Sequence, residues 1–220
     1  MNNTLIKKVQ YYIGTSYRRK ILDEKLNKNR DYFRGSVLDI GGGRKRGAFN
    51  PPETEAWIFA DITPESNPDV ICNVEKMQFK DNSFDTIKAT ELFEHVEKPE
   101  DGIRECFRVL KTGGHFIISA PFLYPIHGDP FDYQRWTQEG WVKNLEKYGF
   151  KLEKIEVVGL FFTVLVDMLK KLNIASPFIF RSIGYLFYPF LDLISYIDKT
   201  LVHNKQLNKY TTGYFIIAKK

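Results

Sequence analysis

The stretch Ser36-Val37-Leu38-Asp39-Ile40-Gly41-Gly42-Gly43 decides the fold. Its apolar half is typical of a buried parallel strand, because helices cover such strands on both faces. The glycines that follow let the backbone approach a ligand closely, since they carry no side chain. The stretch therefore predicts a strand followed by a ligand-binding turn, and a nucleotide-like cofactor is the natural candidate.

The composition is that of a globular protein. The chain has 220 residues, of which 43% are hydrophobic and 27% are charged, enough for one domain with a sizeable core. Cys72 and Cys106 are far apart and predict no disulfide framework, and we expect no metal site from any spacing of His, Cys and carboxylate residues. With no apolar signal-peptide core near Met1, we expect a cytoplasmic protein.

Positive charge is concentrated near the N terminus. Residues 1–35 hold nine lysines and arginines against three acids, whereas the whole chain has a net charge of +5. We therefore treat residues 1–34 as a basic helical arm with a break near Gly14-Thr15-Ser16. Such an arm suits a solvated helix face, an anionic membrane surface, an anionic substrate or nucleic acid.

Apolar runs alternate with helical patterns through residues 35–220, which we treat as one domain. After the first strand, we expect strands at 56–60, 69–72, 84–89, 115–120, 152–158 and 213–218. Helices are predicted from Pro99 to a stop at Gly113-Gly114, and from a Thr137 cap to Gly149. The alternation predicts an α/β fold with a seven-stranded, mostly parallel sheet and helices on both faces.

A helical insert is predicted at residues 160–208, between the last two strands. Nine of the 38 residues from 160 to 197 are aromatic. Pro189 is expected to kink or divide the helices, and charged residues interrupt the apolar character, which argues against a membrane span. The segment 160–202 fits a lid on the core, a dimer surface or helices lying in a membrane interface.

Polar residues follow the predicted strands where a cofactor would bind, at the carboxyl ends of the sheet. Asp61 ends the second strand, twenty residues after Gly41, and an acid there can accept both hydroxyls of a ribose. Asn73-Val74-Glu75 follows the third strand and Thr90-Glu91 the fourth. A dinucleotide motif would need a third glycine where Arg46 stands, which disfavours a nicotinamide-dependent dehydrogenase.

Taken together, these features resemble the class I S-adenosylmethionine-dependent methyltransferases, in the small-molecule, type 11-like branch. Residues 37–43 are similar to the first motif of that family, and Asp61 matches its ribose-binding acid. Further similarity lies in residues 81–85 and 91–96 around the fourth strand, and in 108–114 before the fifth. The resemblance covers about residues 35–158 and 210–220, and it implies a Rossmann-like fold with S-adenosylmethionine as cofactor.

The resemblance implies a cofactor site made of the glycine turn and the following strand ends. Its predicted residues are Asp39, Gly41, Gly42, Gly43, Asp61, Ile62, Asn73, Val74, Glu75, Thr90, Glu91 and His95. The basic run Arg44-Lys45-Arg46 departs from the family, which often has a small residue in place of Lys45. Whether Arg44 or Lys45 meets the carboxylate of the cofactor is left open.

The loop at residues 122–136, after the fifth strand, should face the transferred methyl group. His127, Asp129 and Tyr133 are the candidate catalytic residues, and His127 is the best base because an ordinary imidazole titrates near neutrality. The alternative is a structural latch, in which His127 or Arg135 pairs with Asp129 or Asp132.

The acceptor is suggested by resemblance as well. Similar loops occur in methyltransferases encoded among bacterial surface-polysaccharide genes, which implies a small-molecule, sugar or lipid-linked glycan acceptor. Residues 120–123 lack the Asn-Pro-Pro-Tyr-type tetrapeptide of nucleic-acid amino methylation, which disfavours a nucleic-acid partner. A second function also fits residues 1–34 and 160–202, namely a non-catalytic or membrane-peripheral binding protein on a methyltransferase fold. The expected location is then the cytoplasm or the inner face of an anionic membrane.

Overall fold

Seven strands form a single sheet in the computed structural model, which describes residues 3–42, 47–128, 131–201, 204 and 206–220. The strands are β1 (Ser36–Ile40), β2 (Ala56–Asp61), β3 (Val70–Ile71), β4 (Phe84–Thr90), β5 (Leu110–Pro121), β6 (Lys151–Val157) and β7 (Gly213–Lys219). Their order is β3-β2-β1-β4-β5-β7-β6, and β7 alone runs antiparallel to its neighbours. The predicted α/β fold with a mostly parallel sheet is confirmed.

The strand order reverses at β1, and this reversal positions the site. β1 pairs with β2 on one side, where Leu38 lies opposite Ile58, and with β4 on the other, where Leu38 lies opposite Ile87. The connections after β1 and after β4 therefore leave the sheet in different directions. A crevice opens between them at the carboxyl ends of the strands, which is where open α/β sheets bind their ligands.

Helices surround this sheet and extend beyond it. They are α1 (Asn3–Gly14), α2 (Tyr17–Lys28), α3 (Pro99–Val109), α4 (Gln138–Lys147), α5 (Phe161–Ala175), α6 (Phe178–Tyr185) and α7 (Tyr188–Thr200). The predicted break after Gly14 separates α1 from α2. The predicted cap also forms, since Thr137 Oγ1 accepts the Gly140 N–H at 3.2 Å. Pro189 lies in the first turn of α7, which makes α6 and α7 separate helices.

Both faces of the sheet are covered, as predicted. On one face, Ile103 of α3 and Leu145 of α4 are fully buried in the larger cluster of core residues. On the other face, Leu22 and Leu26 of α2 pack in a second cluster with Ile117 of β5. The apolar face of the arm is therefore part of the core.

The predicted helix stop at Gly113-Gly114 is wrong. The helix α3 ends at Val109, and Leu110 already pairs with Phe84 in the sheet. The register then shifts, so the residues that follow bulge out of the strand, and Gly113 adopts a φ of 82°. The two glycines permit an irregular entry into β5 because this backbone conformation favours glycine.

Buried charges fasten the arm to the insert. Asp167 of α5 is 2% exposed and accepts the N–H groups of Tyr17 and Arg18, at 2.6 and 2.9 Å, so it caps the start of α2. Lys170 Nζ donates to the Thr15 carbonyl at 2.7 Å, just beyond the end of α1. Each helix end thus meets the charge that its dipole favours. The arm (1–34) and the insert (160–208) pack as one unit in their described parts.

Lys88→Met should destabilise the fold strongly. Lys88 Nζ lies 2.8 Å from Asp39 Oδ1, and the side chains are 5% and 10% exposed. The substitution leaves a buried carboxylate without its partner and is expected to lower the free energy of unfolding by about 3 kcal/mol. Urea denaturation measures the change. Arg104→Ala, which breaks an exposed pair with Asp101, is the control and should cost less than about 1 kcal/mol. Equal losses in the two variants would contradict the argument.

Candidate active site

A cavity of about 540 Å³ lies at the carboxyl ends of β1, β2 and β3. This volume is within the range of roughly 300–1,000 Å³ that is usual for cofactor sites. The predicted residues that line it are Gly41, Asp61, Ile62, Asn73, Val74, Glu75, Glu91, His95 and Tyr133. The strand ends that the sequence singled out therefore do converge on one cavity.

The turn after β1 presents bare backbone to the cavity. Gly41 has a φ of 70°, and its N–H donates to the Ala60 carbonyl at 2.9 Å. A Cβ at Gly41 would lie 2.5 Å from Leu92 Cδ1, so a larger residue would have to displace that side chain. Gly43, which the sequence also predicted, lies outside the described residues, as does Arg44-Lys45-Arg46.

Asp61 is placed to accept hydroxyl groups. Its Oδ1 accepts the Thr63 N–H at 2.8 Å, which fixes the carboxylate at the end of β2. The remaining lone pairs face a cavity whose wall also contains Ile62, a side chain 60% exposed. A carboxylate with spare acceptor positions beside an apolar surface suits a ribose with its attached base.

The segment after β3 is held rigid. Asn73 Oδ1 accepts the Glu75 N–H at 2.8 Å, and Glu75 Oε1 accepts the Lys98 N–H at 2.7 Å. Val74, 5% exposed, adds an apolar surface to the cavity wall. This part of the site is fixed by its own hydrogen bonds, so a cofactor would meet a preformed surface.

Glu91 is held in an unusual conformation by a residue that the sequence did not single out. Its φ is 56°, a region that side chains other than glycine and asparagine seldom adopt. Arg18 of α2 pairs with both carboxylate oxygens, with Nη2 2.7 Å from Oε1, and Ser119 donates to Oε1 at 2.6 Å. Burial lowers the pKa of Arg18 to about 10, so this side chain still carries its charge at neutral pH.

Three predicted residues lie behind the cavity wall. Asp39 points to the face of β1 where it pairs with Lys88, because alternate residues of a strand face opposite sides. Gly42 covers that pair, and a Cβ there would lie 2.4 Å from Asp39 Oδ1. Thr90 is 1% exposed, and its hydroxyl has no hydrogen-bond partner among the described residues. These positions support the wall from behind.

Other residues of the wall were not predicted. They are Ile40, Thr63, Ser66, Cys72, Leu92, Val96, Glu97 and Phe131. Most adjoin predicted residues within one or two positions, so extending each strand-end prediction along the chain would have found them. Phe131 belongs to the loop 122–136, which the sequence did place near the cofactor.

The loop after β5 contains the pairing that the sequence offered as the alternative to catalysis, a latch through Asp132. Arg135 pairs with both of its oxygens, with Nη2 2.6 Å from Oδ2, and the His127 N–H donates to Oδ2 at 2.9 Å. Arg135 is the main reason that the pKa of Asp132 falls to about 2. Tyr133 lies in the cavity wall, and Asp129, the third catalytic candidate, lies outside the described residues.

His127 lies beside the cavity and is uncharged at neutral pH. Its ring meets His95, which lines the cavity, edge-on with centroids 5.2 Å apart. Burial lowers the pKa of His127 below its usual value. His127 Nδ1 lies 3.1 Å from the Pro125 carbonyl, which assigns the ring proton to Nδ1. Nε2 then keeps a lone pair that can accept a proton.

The fold also brings Glu94, His95 and His127 together. One possible ligand atom from each lies within 4.8 Å of the others. Burial raises the pKa of Glu94, and neither carboxylate oxygen has a hydrogen-bond partner in the described chain. Two imidazoles and a carboxylate are a donor set that could hold a divalent cation. The sequence predicted no metal site because His127 belongs to a different loop.

Comparison with known proteins agrees with this geometry. Residues 58–118 match a family model described as a methyltransferase domain. Over 112 residues the chain is 28% identical to the ubiquinone/menaquinone biosynthesis C-methyltransferase UbiE of Nitrobacter hamburgensis. The match covers 42% of this chain and 44% of that protein, so the chain spans less than half the length of this curated relative.

Solved structures show the same fold. A methyltransferase from Archaeoglobus fulgidus that depends on S-adenosylmethionine superposes with a TM-score of 0.58 at 19% identity, over 100% of both chains. The cyclase SpnF superposes with a TM-score of 0.58 at 17% identity, over 90% of this chain and 81% of its own. The resemblance found in the sequence is therefore confirmed for the fold, and S-adenosylmethionine is the cofactor that the family implies.

Asp61→Ala is expected to weaken S-adenosylmethionine binding at least tenfold, since one charge-assisted hydrogen bond contributes roughly 1.5–3 kcal/mol. Isothermal titration calorimetry measures the affinity directly. Glu65→Ala is the matched control, because Glu65 is an exposed acid in the same loop and does not line the cavity. An unchanged affinity in Asp61→Ala would remove Asp61 from the cofactor site.

Proposed function

We propose that this chain is a class I S-adenosylmethionine-dependent methyltransferase that methylates a small amphiphilic acceptor at a membrane surface. The fold and the match of residues 58–118 to a methyltransferase-domain model support the reaction class. The observation that carries the activity is the cavity at the strand ends, in which Asp61 and the bare turn at Gly41 meet. The lipid character of the acceptor is supported by the apolar surface of the insert.

The roles of the cavity residues follow from their positions. S-adenosylmethionine, when bound, supplies a methyl group on a sulfonium centre. Asp61 would accept the ribose hydroxyls, and Gly41 would let the backbone approach the cofactor. Glu91, held by Arg18, would face the cofactor from β4. Because the leaving group is already activated, positioning of the acceptor does much of the catalytic work.

An oxygen or nitrogen acceptor also requires removal of a proton, and His127 is suited to this role. The imidazole is uncharged at neutral pH, and its Nε2 is free to accept. The contact with His95 brings it to the rim of the cavity, where Tyr133 is also exposed. His127 would act as the base, while Asp132 and Arg135 hold the loop that carries it.

The insert offers an apolar surface of a kind that soluble monomers seldom expose. Its most exposed large apolar side chains, between 64% and 79% exposed, are Leu172, Phe178, Ile179, Phe180, Leu186 and Leu193. Among the described residues no single helix is long and apolar enough to cross a bilayer, although α6 and α7, bent by 58°, reach that length together. Short helices with apolar faces favour lying in the interface plane.

The charges of the insert favour an anionic bilayer as the partner. Asp167 and Asp198 are buried and accept backbone N–H groups, and Asp192 accepts the hydroxyls of Tyr12 and Tyr17. Lys171 and Lys199, by contrast, are exposed. The three acids are turned inward while Lys171 and Lys199 remain outside, and exposed lysines are attracted to anionic lipid.

The relatives are consistent with a lipid-like acceptor. UbiE, which is 28% identical to this chain over 112 residues, is named for the biosynthesis of ubiquinone and menaquinone. A lipid-linked glycan would suit the same surface. The inner face of the membrane is the location that this function requires.

A non-catalytic or differently catalytic protein is the second candidate. It is favoured by the superposition on the cyclase SpnF, since this neighbour shows that the fold does not fix the reaction. The two candidates differ in whether label from S-adenosylmethionine reaches an acceptor.

Methyl transfer can be tested with S-adenosylmethionine labelled on the methyl group and a total lipid extract of the cells that carry the gene. We expect label in the organic phase and none from the aqueous extract. The rate should rise with pH through the lowered pKa of His127, because only the neutral imidazole accepts a proton. His127→Gln should slow transfer by roughly 10²–10⁴ and abolish that rise.

Gln78→Ala, a polar substitution in a loop outside the cavity wall, is the control and should keep the wild-type pH profile. Label in neither phase would favour the non-catalytic candidate. An unchanged pH profile in His127→Gln would leave His127 as part of the latch alone.

Binding to vesicles tests the membrane surface. The chain should co-sediment with vesicles that contain phosphatidylglycerol, and less so at high salt, where charge attraction is screened. Phe178→Ser with Leu186→Ser should weaken binding roughly tenfold or more, because two large apolar side chains no longer enter the bilayer. Ile71→Ser, at an exposed apolar position on β3, is the matched control and should leave binding to the vesicles unchanged.

Two outcomes would contradict the membrane assignment. One is equal binding by the double variant and the wild type. The other is a dimer in solution that the double variant converts to monomer, which would make the apolar face an interface between copies of the chain.

A further inference from the structure

A second cavity, of about 280 Å³, lies between the arm and the insert. Arg19 of α2, Lys170 and Lys171 of α5, and Tyr124 of the loop after β5 contribute to its wall. It is distinct from the cofactor cavity, since the two share no lining residue. A cavity with three cationic side chains suits an anion.

Three cations and one acid, Asp167, line this cavity, and Arg19 Nε also pairs with Asp23 outside the wall at 3.0 Å. Both oxygens of Asp167 accept backbone N–H groups of Tyr17 and Arg18. Lys171 is exposed, and its Nζ lies 5.4 Å from the centroid of the Tyr124 ring. Within the described part of the chain, the Lys171 side chain makes no ion pair or hydrogen bond. The cavity therefore has a net positive charge.

Lys170 is a buried cation at the base of this cavity. It is 3% exposed, and burial lowers its pKa to about 8, with Lys20 contributing further. Its Nζ donates to the carbonyls of Thr15 and Tyr12, at 2.7 and 3.3 Å. An anion beside it would favour the charged form of Lys170 and offset part of the cost of burying it.

The two cavities adjoin through one ion pair. Glu91 lines the cofactor cavity and pairs with Arg18, whose neighbour Arg19 lines the second cavity. The guanidinium of Arg18 also lies 5.6 Å from the ring centroid of Tyr124, which lines the second cavity. A group bound there would be held next to the site of methyl transfer.

The second cavity also borders the apolar surface. Ile174, near the end of α5, lines it and is 43% exposed, and α6 follows directly with Phe178. A ligand could therefore place a charged group among the cations and extend an apolar chain along the insert. A phosphate group suits such a wall, since a guanidinium fork can bond two phosphate oxygens and lysine binds phosphate as a point charge.

From these observations we infer that the cavity between the arm and the insert binds the phosphate or diphosphate group of an amphiphilic acceptor. The inference rests on the proposed function, and it adds the chemical class of the acceptor. Arg19, Lys170 and Lys171 hold the phosphate oxygens, and the insert supports the apolar chain.

Calorimetry with the full chain tests this inference, using inorganic diphosphate, inorganic phosphate and hexyl phosphate in solution. Binding should occur with diphosphate and hexyl phosphate, and hexyl phosphate should bind more tightly than inorganic phosphate. Lys171→Glu should weaken both interactions roughly tenfold or more, the amount that one charge-assisted hydrogen bond contributes. Lys171→Arg, which keeps the charge, should retain binding.

Lys199→Glu is the matched control, because Lys199 is an exposed lysine of the same insert outside the cavity wall. It should leave binding of both anions unchanged. Since Lys171 is exposed, its substitutions are not expected to disturb folding, and S-adenosylmethionine affinity should stay at the wild-type value in every variant.

Several results would overturn the inference. No binding of any phosphate would do so, as would equal losses in Lys171→Glu and Lys199→Glu, which would indicate general attraction by net charge. Equal affinities for inorganic phosphate and hexyl phosphate would overturn the inference that the acceptor is amphiphilic. If Lys171→Glu weakened binding to vesicles but not to hexyl phosphate, the cavity would contact bilayer headgroups and not the acceptor.

Failure of the proposed function is a separate result. It would appear as no binding of S-adenosylmethionine or no transfer of label, and diphosphate binding could still be measured in the same protein.

Discussion

The structure depends on Arg18, a buried arginine that four parts of the chain share. Its guanidinium pairs with Glu91 at the end of β4, and its Nε donates to the Thr212 carbonyl just before β7 at 3.2 Å. Its own N–H donates to Asp167 of the insert. A charge this deeply buried is costly unless it is fully partnered, so the arm, the sheet and the insert have to come together around it. A Cβ at Gly213 would approach Arg18 Nη2 to 2.9 Å, so a residue with a side chain at position 213 would crowd the guanidinium.

This constraint explains why the site has two compartments. The sheet alone supplies the cofactor cavity, because its wall comes from strand ends and the loops that follow them. The second cavity exists only where the arm meets the insert, and Arg18 with Glu91 stands between the two. Under the proposed function, the common fold binds the cofactor, and the segments added to it select the acceptor. The strained backbone of Glu91 is maintained at this border by the same ion pair.

Patterns within short segments of the sequence predicted those features that depend only on residues close together in the chain. The strands followed from their apolar runs, and Asp61 followed from the rule that ligands meet parallel strands at their carboxyl ends. The pairing of Asp39 with Lys88 was not predicted, because adjacent residues of a strand face opposite sides and only the register with β4 shows which side Asp39 faces. Gly113-Gly114 was predicted to stop a helix because helix ends and strand bulges both use the positive φ values that glycine allows. Arg18 could not be found at all, since its partner Glu91 lies 73 positions away and an arginine in a basic arm carries no distinguishing signal.

The cap that Asp167 provides to α2 has a consequence for how the chain is made. The two ends of this contact are 150 positions apart in sequence, so at roughly 5–20 residues per second the ribosome needs about 8 to 30 s to supply the second after the first. During that interval the arm has emerged without the carboxylate that completes its helix, and with its apolar face uncovered. The start of α2 therefore cannot gain its Asp167 cap until the insert has left the exit tunnel, and its apolar face waits longer still, for Phe215 and Ile217 of β7.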